Sequence, residues 1–294
     1  MTIFNINSND IHFLKEVKFG SLSFQPIKML LKSKSKNLIS LDQAFKEDLV
    51  SIEEVGNKGY IEEVTISNFS NDFLFVADGE AIVGAKQNRI CERSVIIAPY
   101  FSQTIPVKCV EQYRWGYQNS KEFQESNFML HPKAREKKAE LLKNGENHKI
   151  QNQVWNSISD LSKKHEVSSM SMDLGDILQN SKKNYDFDYF DRVNDINFNG
   201  YIVSGSGRTF IEFFYDDESC KNHVKKSIKG WMADADDLTK FVEINKEEVV
   251  KSLLKSKWKK ENSISVEKAY SSELRNNGRC IFFSENVVHC YYYV

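Results

Sequence analysis

Short runs of alternating or clustered apolar residues fill the first and last parts of this chain, and a stretch with a 3.6-residue apolar period lies between them. Strands grouped at both ends around helices must pack as separate layers, which predicts an α+β protein instead of one in which strands and helices alternate. The strand runs are Gly20–Leu30, Tyr60–Phe69, Phe73–Ala77, Glu80–Ala85, Ser94–Ala98 and Thr104–Glu111. Asp78-Gly79 between two of them has the form of a two-residue type I′ turn, predicting a hairpin of 73–77 with 80–85. Pro106, which has no N–H to give, is expected at an edge or a bulge.

After about residue 130 the texture becomes helical. Pro132–Lys143 is rich in Ala, Lys and Glu, and Glu146–Lys164 carries Gln151, Val154, Trp155, Ile158 and Leu161 on one stripe, with a break at Asn144-Gly145. Residues 166–198, including the acidic and aromatic run Asp186–Asp191, read as loop with a short helix. Tyr201–Ser204 and Thr209–Tyr215 form a second hairpin around Gly205-Ser-Gly207, with Asp216 as N-cap of a helix to Ala235. A helix over Lys246–Lys260 and a third hairpin, Cys280–Phe283 with Val287–Val294, close the chain. The expectation is one domain over 1–294, mainly antiparallel sheets of hairpins with a central helical insertion and flanking helices. Its β-rich part runs to about 118, its helical part over about 130–195, and a β-α-β part over about 199–294.

Composition narrows the function. With 40% hydrophobic residues in 294 the chain fills a core, and a net charge of -1 supplies no field for nucleic acid or an anionic membrane. The amino terminus has neither a basic segment nor an apolar one, and no run of about 18 apolar residues occurs, so a cytoplasmic protein is expected. Five scattered cysteines without Cys-x-x-Cys spacing predict reduced thiols, no zinc site, and no cofactor.

Two strings concentrate hydrogen-bonding groups. Gly79-Glu80 to Gln87-Asn88-Arg89 sets a carboxylate, two amides and a guanidinium close together, and Cys109-Val-Glu111-Gln112-Tyr-Arg114-Trp115 repeats the formula. Arg suits phosphate or carboxylate, Asn and Gln read donor and acceptor edges, and Trp offers a stacking face. A buried Arg–Glu network bracing the sheet fits the same residues. His289, alternating with Tyr291 and Tyr293, is either a general acid/base or a hydrogen-bonded core group. Cys109 lacks an assigned base and is expected buried and inert. The basic run Lys251–Lys260 reads as a solvated face, and Gly205-Ser-Gly207 as a turn, not a phosphate loop.

The string Gly79-Glu80…Gly84…Gln87-Asn88-Arg89, followed by Ile105-Pro-Val-x-Cys109-Val-Glu111-Gln112-x-Arg114-Trp115, resembles the domain named for its association with ADP-ribosylglycohydrolases and rhodanese-phosphatases. The resemblance continues through Gln151–Trp155, the 200–217 hairpin with its helix to Asp234-Ala235, and Arg275 to His289; it departs where this chain has Phe213-Phe-Tyr-Asp216 in place of the family's acidic-apolar-Phe-Asp run, with Glu212 as the stand-in for that acid. It implies a place in NAD or ADP-ribose metabolism and a small nucleotide partner; a bacterial, cytoplasmic protein is expected. The function expected is binding, and as an enzyme hydrolysis, of an NAD-derived or ADP-ribosyl nucleotide. The binding residues would be Gln87, Asn88, Arg89, Gln112, Arg114, Trp115 and Gln151, and the catalytic candidates Glu80, Glu111 and His289. The alternative is a non-catalytic nucleotide sensor or interaction module of a stress or antiphage system. No membrane or nucleic-acid partner is expected, and a homo-oligomer is left open.

Overall fold

A computed structural model describes residues 8–30, 37–56, 60–117, 122–181, 195–205, 207–235, 245–273 and 277–294. From the amino end, β1 (Ile11–Phe13), β2 (Val17–Phe19) and β3 (Leu22–Met29) lead to β4 (Leu38–Ser40), helix α1 (Leu41–Lys46), β5 (Val50–Glu54) and β6 (Glu63–Asn68). Strands β7 (Phe73–Val76), β8 (Glu80–Gly84), β9 (Arg89–Cys91), β10 (Val95–Ile97), β11 (Ser102–Cys109) and β12 (Phe123–Met129) follow. Helices α2 (Pro132–Lys143), α3 (Ile150–His165) and α4 (Leu174–Asn180) precede β13 (Gly200–Gly205), β14 (Arg208–Phe214), α5 (Asp217–Asp234) and α6 (Lys246–Lys255). The last strands are β15 (Trp258–Lys260), β16 (Lys268–Ser272), β17 (Gly278–Phe283) and β18 (Asn286–Tyr293). This is an α+β fold with mostly antiparallel pairing, β4 with β7 being parallel.

Six strands in the order β12-β8-β9-β11-β6-β5 wrap round until an antiparallel bridge, Glu53 to Glu122, brings the outer two together. The result is a small barrel filled by Ile52, Val64, Ile66, Ile82, Val107 and Phe123, with its seam between β5 and β12 largely unpaired. Helices α2, α3 and α4 cover one outer side, where Val154, Ile158 and Leu161 meet Ala81, Ile90 and Val110. A large sheet, β1-β3-β13-β14-β18-β17-β16-β15 with β2 on β3, is buried on both faces: Cys220, Val224, Ile228 and Trp231 of α5 pack one, Val249, Val250 and Leu253 of α6 the other.

Between barrel and large sheet lies a three-stranded layer, β10-β7-β4. Leu74, Val76, Val95 and Ile97 point to the barrel core, while Phe75 and Ile96 point to the sheet core. Double burial explains why these segments read as continuous apolar runs without alternation. It also corrects the expected 73–77/80–85 hairpin. β7 pairs with β10 and β4, β8 pairs with β9 and β12, and Asp78-Gly79 is a corner where the chain leaves one sheet for another. Glu80 N donates to Ala77 O and only Gly79 has positive φ (78°), so the turn is not type I′.

Other elements match the sequence closely. The α2 helix ends at Asn144 with Gly145 at φ 73°, and the Asp216 side chain caps α5 by accepting from Ser219 N. β13–β14 and β17–β18 are hairpins. Pro106, expected at an edge or a bulge, lies instead on β11, which pairs with β6 on one side and β9 on the other; the interior position is tolerated because Glu92 O, which would face the missing N–H, accepts from Lys138 Nζ. The helix expected over 246–260 stops at Lys255, and Trp258–Lys260 pairs with β16 instead. The cysteines are not all free thiols: Cys280 and Cys290 oppose each other across β17 and β18 and form a disulfide. The run Asp186–Asp191, Ser206 and Arg275 lie outside the described residues. Among those described, no helix is long and apolar enough to cross a membrane.

Candidate functional site

The two polar strings meet at one end of the barrel because Cys109 of β11 pairs with Arg89 of β9, and the 111–115 segment runs on from there. Arg89 donates to Gln87 O and Oε1, and Gln87 Nε2 donates to Glu111 O. Glu111 accepts from Arg114 Nε at 2.8 Å and from Asn88 N at 3.1 Å. Arg114 further donates to Ala85 O, Gly116 O, Gly84 O and Asn88 Oδ1, so its guanidinium is fully engaged with the protein. Burial pushes the Glu111 carboxyl up, but bonds from Arg114, Ser171 and Asn88 outweigh it and hold the group below its ordinary value. Gln112 gives its carbonyl to Gln87, Gln151 brackets the backbone N–H and C=O of Cys109 from α3, and Trp115 stays half-exposed over Arg89. Cys109 is buried, and desolvation, opposed by Arg89, raises its thiol to about 11. Glu80 and His289 are not part of this cluster.

Glu80 sits at the other end of β8. It accepts from Ala77 N at 3.0 Å and from Lys226 Nζ at 3.0 Å. Lys226, buried on the inner side of α5, also bonds Asp42 of α1 and lies 3.8 Å from Glu125 of β12. Three carboxyls around one ammonium cannot all ionise without excess negative charge. Burial raises Glu80; at Glu125, burial and then a hydrogen bond with Asp42 push the carboxyl up to about 7. Asp42, Glu125 and Lys226 line an open groove of about 730 Å³ between α1, the β5–β12 seam and α5. Phe45, Lys46 and Lys225 contribute to its walls. Sequence reasoning found Glu80 but missed the other three. Lys226 was the available signal: a lysine on a helix face otherwise given to Cys220, His223, Ser227 and Trp231.

His289 belongs to a buried network inside the large sheet. Its Nε2 bonds Glu212 Oε1 at 2.9 Å and its Nδ1 bonds Ser94 Oγ at 2.7 Å. The order Ser, His, Glu is that of a nucleophile triad, but Ser94 is 7% exposed, His289 1% and Glu212 0%, so no substrate reaches it. Glu212 also accepts from Arg135 at 2.7 Å and from Tyr201, and lies 3.3 Å from His223. Arg135 and Lys138 of α2 hold Asp78 at 3.2 and 2.6 Å, which is why the 78–79 corner is fixed; a Cβ at Gly79 would fall 2.9 Å from Arg135 Cδ.

This network sets a pH dependence. Burial lowers His223 to about 4, against opposition from Glu212, whereas the unfolded side chain titrates near 6.5. Between these values the unfolded chain takes up the proton first, so stability present above about 6.5 is lost as pH falls toward 4, about 3 kcal/mol in all. Glu212, raised by burial but held well below its ordinary value by Arg135 and His223, adds a further loss at lower pH. Urea unfolding from pH 7 to 4 should show this slope, and His223→Gln should flatten it over that range.

A family model described as the ARG and Rhodanese-Phosphatase-superfamily-associated Protein domain matches residues 10–293. No curated protein matches, and no solved structure does.

Proposed function

This chain belongs to the ARG and Rhodanese-Phosphatase-superfamily-associated Protein domain family, and from that premise we propose that it binds an ADP-ribosyl or NAD-derived nucleotide in the α1–β12–α5 groove and hydrolyses its glycosidic bond. The observation that carries this reading is the grouping of Glu125, Asp42 and Lys226 on the wall of an open groove, where the Glu125 carboxyl is pushed up to about 7. A general acid works best when its pKa lies near the working pH. Glu125 gives its proton to the leaving group as the bond to the ribose carbon breaks. The water that forms the new bond gives its proton to the Asp42 carboxylate, which passes a proton back along their hydrogen bond to Glu125, so the reaction consumes one water and regenerates both groups. Lys226, fixed by buried Glu80, holds the Asp42 side chain in place by a hydrogen bond. Lys46 and Lys225 on the groove wall are placed for the diphosphate and Phe45 for a base.

Isothermal calorimetry with ADP-ribose tests the binding half. The wild type should bind, and Lys225→Glu with Lys46→Glu should weaken binding by about tenfold or more, the loss of charge-assisted bonds of roughly 1.5–3 kcal/mol each. Equal heats for both proteins would place the nucleotide elsewhere.

A further inference from the structure

We propose that the polar end of the barrel is a second ligand site, in which a small planar amide parts the Arg89–Glu54 pair and bonds to both beneath the ring of Trp115. The site rests on residues the groove does not use and stands or falls separately from it. Residues opposed across antiparallel strands point to the same face. Ile82 opposes Arg89, and Arg89 opposes Cys109, so the Arg89 side chain follows Ile82 into the barrel. Glu54 follows Ile52 two residues earlier to the same face. An interior otherwise lined by Ile, Val and Phe thus carries a guanidinium, a carboxylate, the Gln87 amide and the Cys109 thiol at one end.

A buried ion pair holds well only when its geometry is tight and its remaining hydrogen-bonding positions are filled. This one is neither. Arg89 Nη2 stands 3.5 Å from Glu54 Oε1, with the side chains 0% and 3% exposed. Among the described residues, Arg89 Nε and Glu54 Oε2 have no hydrogen-bond partner. Two unmet groups in one loosened pair, a donor and an acceptor, define what fits. An anion would meet the Glu54 oxygen and a cation the Arg89 nitrogen. A neutral group with an acceptor beside a donor, a primary carboxamide or a lactam edge, satisfies both. Trp115 is the cover: 48% exposed, its ring centroid is 5.6 Å from the Arg89 guanidinium carbon and 5.2 Å from Lys86 Nζ, so a flat ring entering there stacks on the indole. Barrel mouths are common places for such ligands.

The test uses two probes that share a ring and differ only at the edge, benzamide and benzoate, read by tryptophan fluorescence and by melting of the full chain. Benzamide should give a saturable fluorescence change that is absent in Trp115→Phe. Benzoate should bind about tenfold more weakly, because its second acceptor faces Glu54 without a proton. Glu54→Gln, which keeps the shape of the side chain, should raise benzoate to the level of benzamide. A merely structural Arg89–Glu54 pair would not produce that exchange of preference. Absence of a saturable benzamide response in the wild type, indistinguishable responses to the two probes, or a crystal soaked in benzamide with only a water between Arg89 and Glu54 would overturn the proposal.

Discussion

Replacing Arg135 with methionine should lower the stability of the fold by about 3–5 kcal/mol, a drop of roughly 10 °C in melting temperature. Arg135 Nε donates to Asp78, its Nη groups donate to Glu212, and its guanidinium carbon lies 4.8 Å from the centre of the Tyr291 ring. Methionine keeps most of the length and apolar bulk but leaves two carboxylates, each 0% exposed, short of their shared cation. Lys138 remains for Asp78, while Glu212 keeps only Tyr201 and the two histidines. Scanning calorimetry checks the drop; a variant that melts with the wild type would mean that the network is hydrated and weak. The same series separates brace from ligand grip at the barrel end. Arg114→Ala should cost about 3 kcal/mol by stranding buried Glu111, with ADP-ribose affinity unchanged. A ligand-gripping Arg114 would show the opposite pair of results.

Local chemistry was legible wherever a single segment decided the outcome. The break at Asn144-Gly145, the Asp216 cap and the β13–β14 and β17–β18 hairpins all depend on neighbours in sequence. Pairing between distant segments was not. Asp78-Gly79 announces a change of direction but does not say which strand the chain meets next, and β7 finds β4 and β10 because its two faces are both apolar. The opposition of Cys280 and Cys290 follows from a register that spacing alone does not fix. The candidate site divides in the same way. Gln87, Asn88, Arg89, Glu111 and Arg114 come together because the two strings adjoin the paired ends of β9 and β11. Asp42, Glu125 and Lys226 come from a helix, a strand and a second helix far apart in the chain, and each alone looks like an ordinary surface charge.

Glu125→Gln should abolish turnover while leaving nucleotide binding intact. Glutamine preserves the shape of the side chain and its contact with Asp42 but has no proton to give, and loss of general acid catalysis typically costs about 10²–10⁴ in rate. The sign of the pH profile follows from the same group: activity should fall as pH rises through about 7, where Glu125 loses its proton. The most direct measurement is chromatographic detection of free ADP-ribose released at pH 6.5 from NAD and from an ADP-ribosylated arginine peptide, for the wild type and Glu125→Gln side by side. Release by the wild type from at least one of the two, lost in the variant with ADP-ribose affinity retained, is the predicted result. Binding without release from either would leave a nucleotide sensor, and release at equal rates by both proteins would contradict the assignment of Glu125 as the acid.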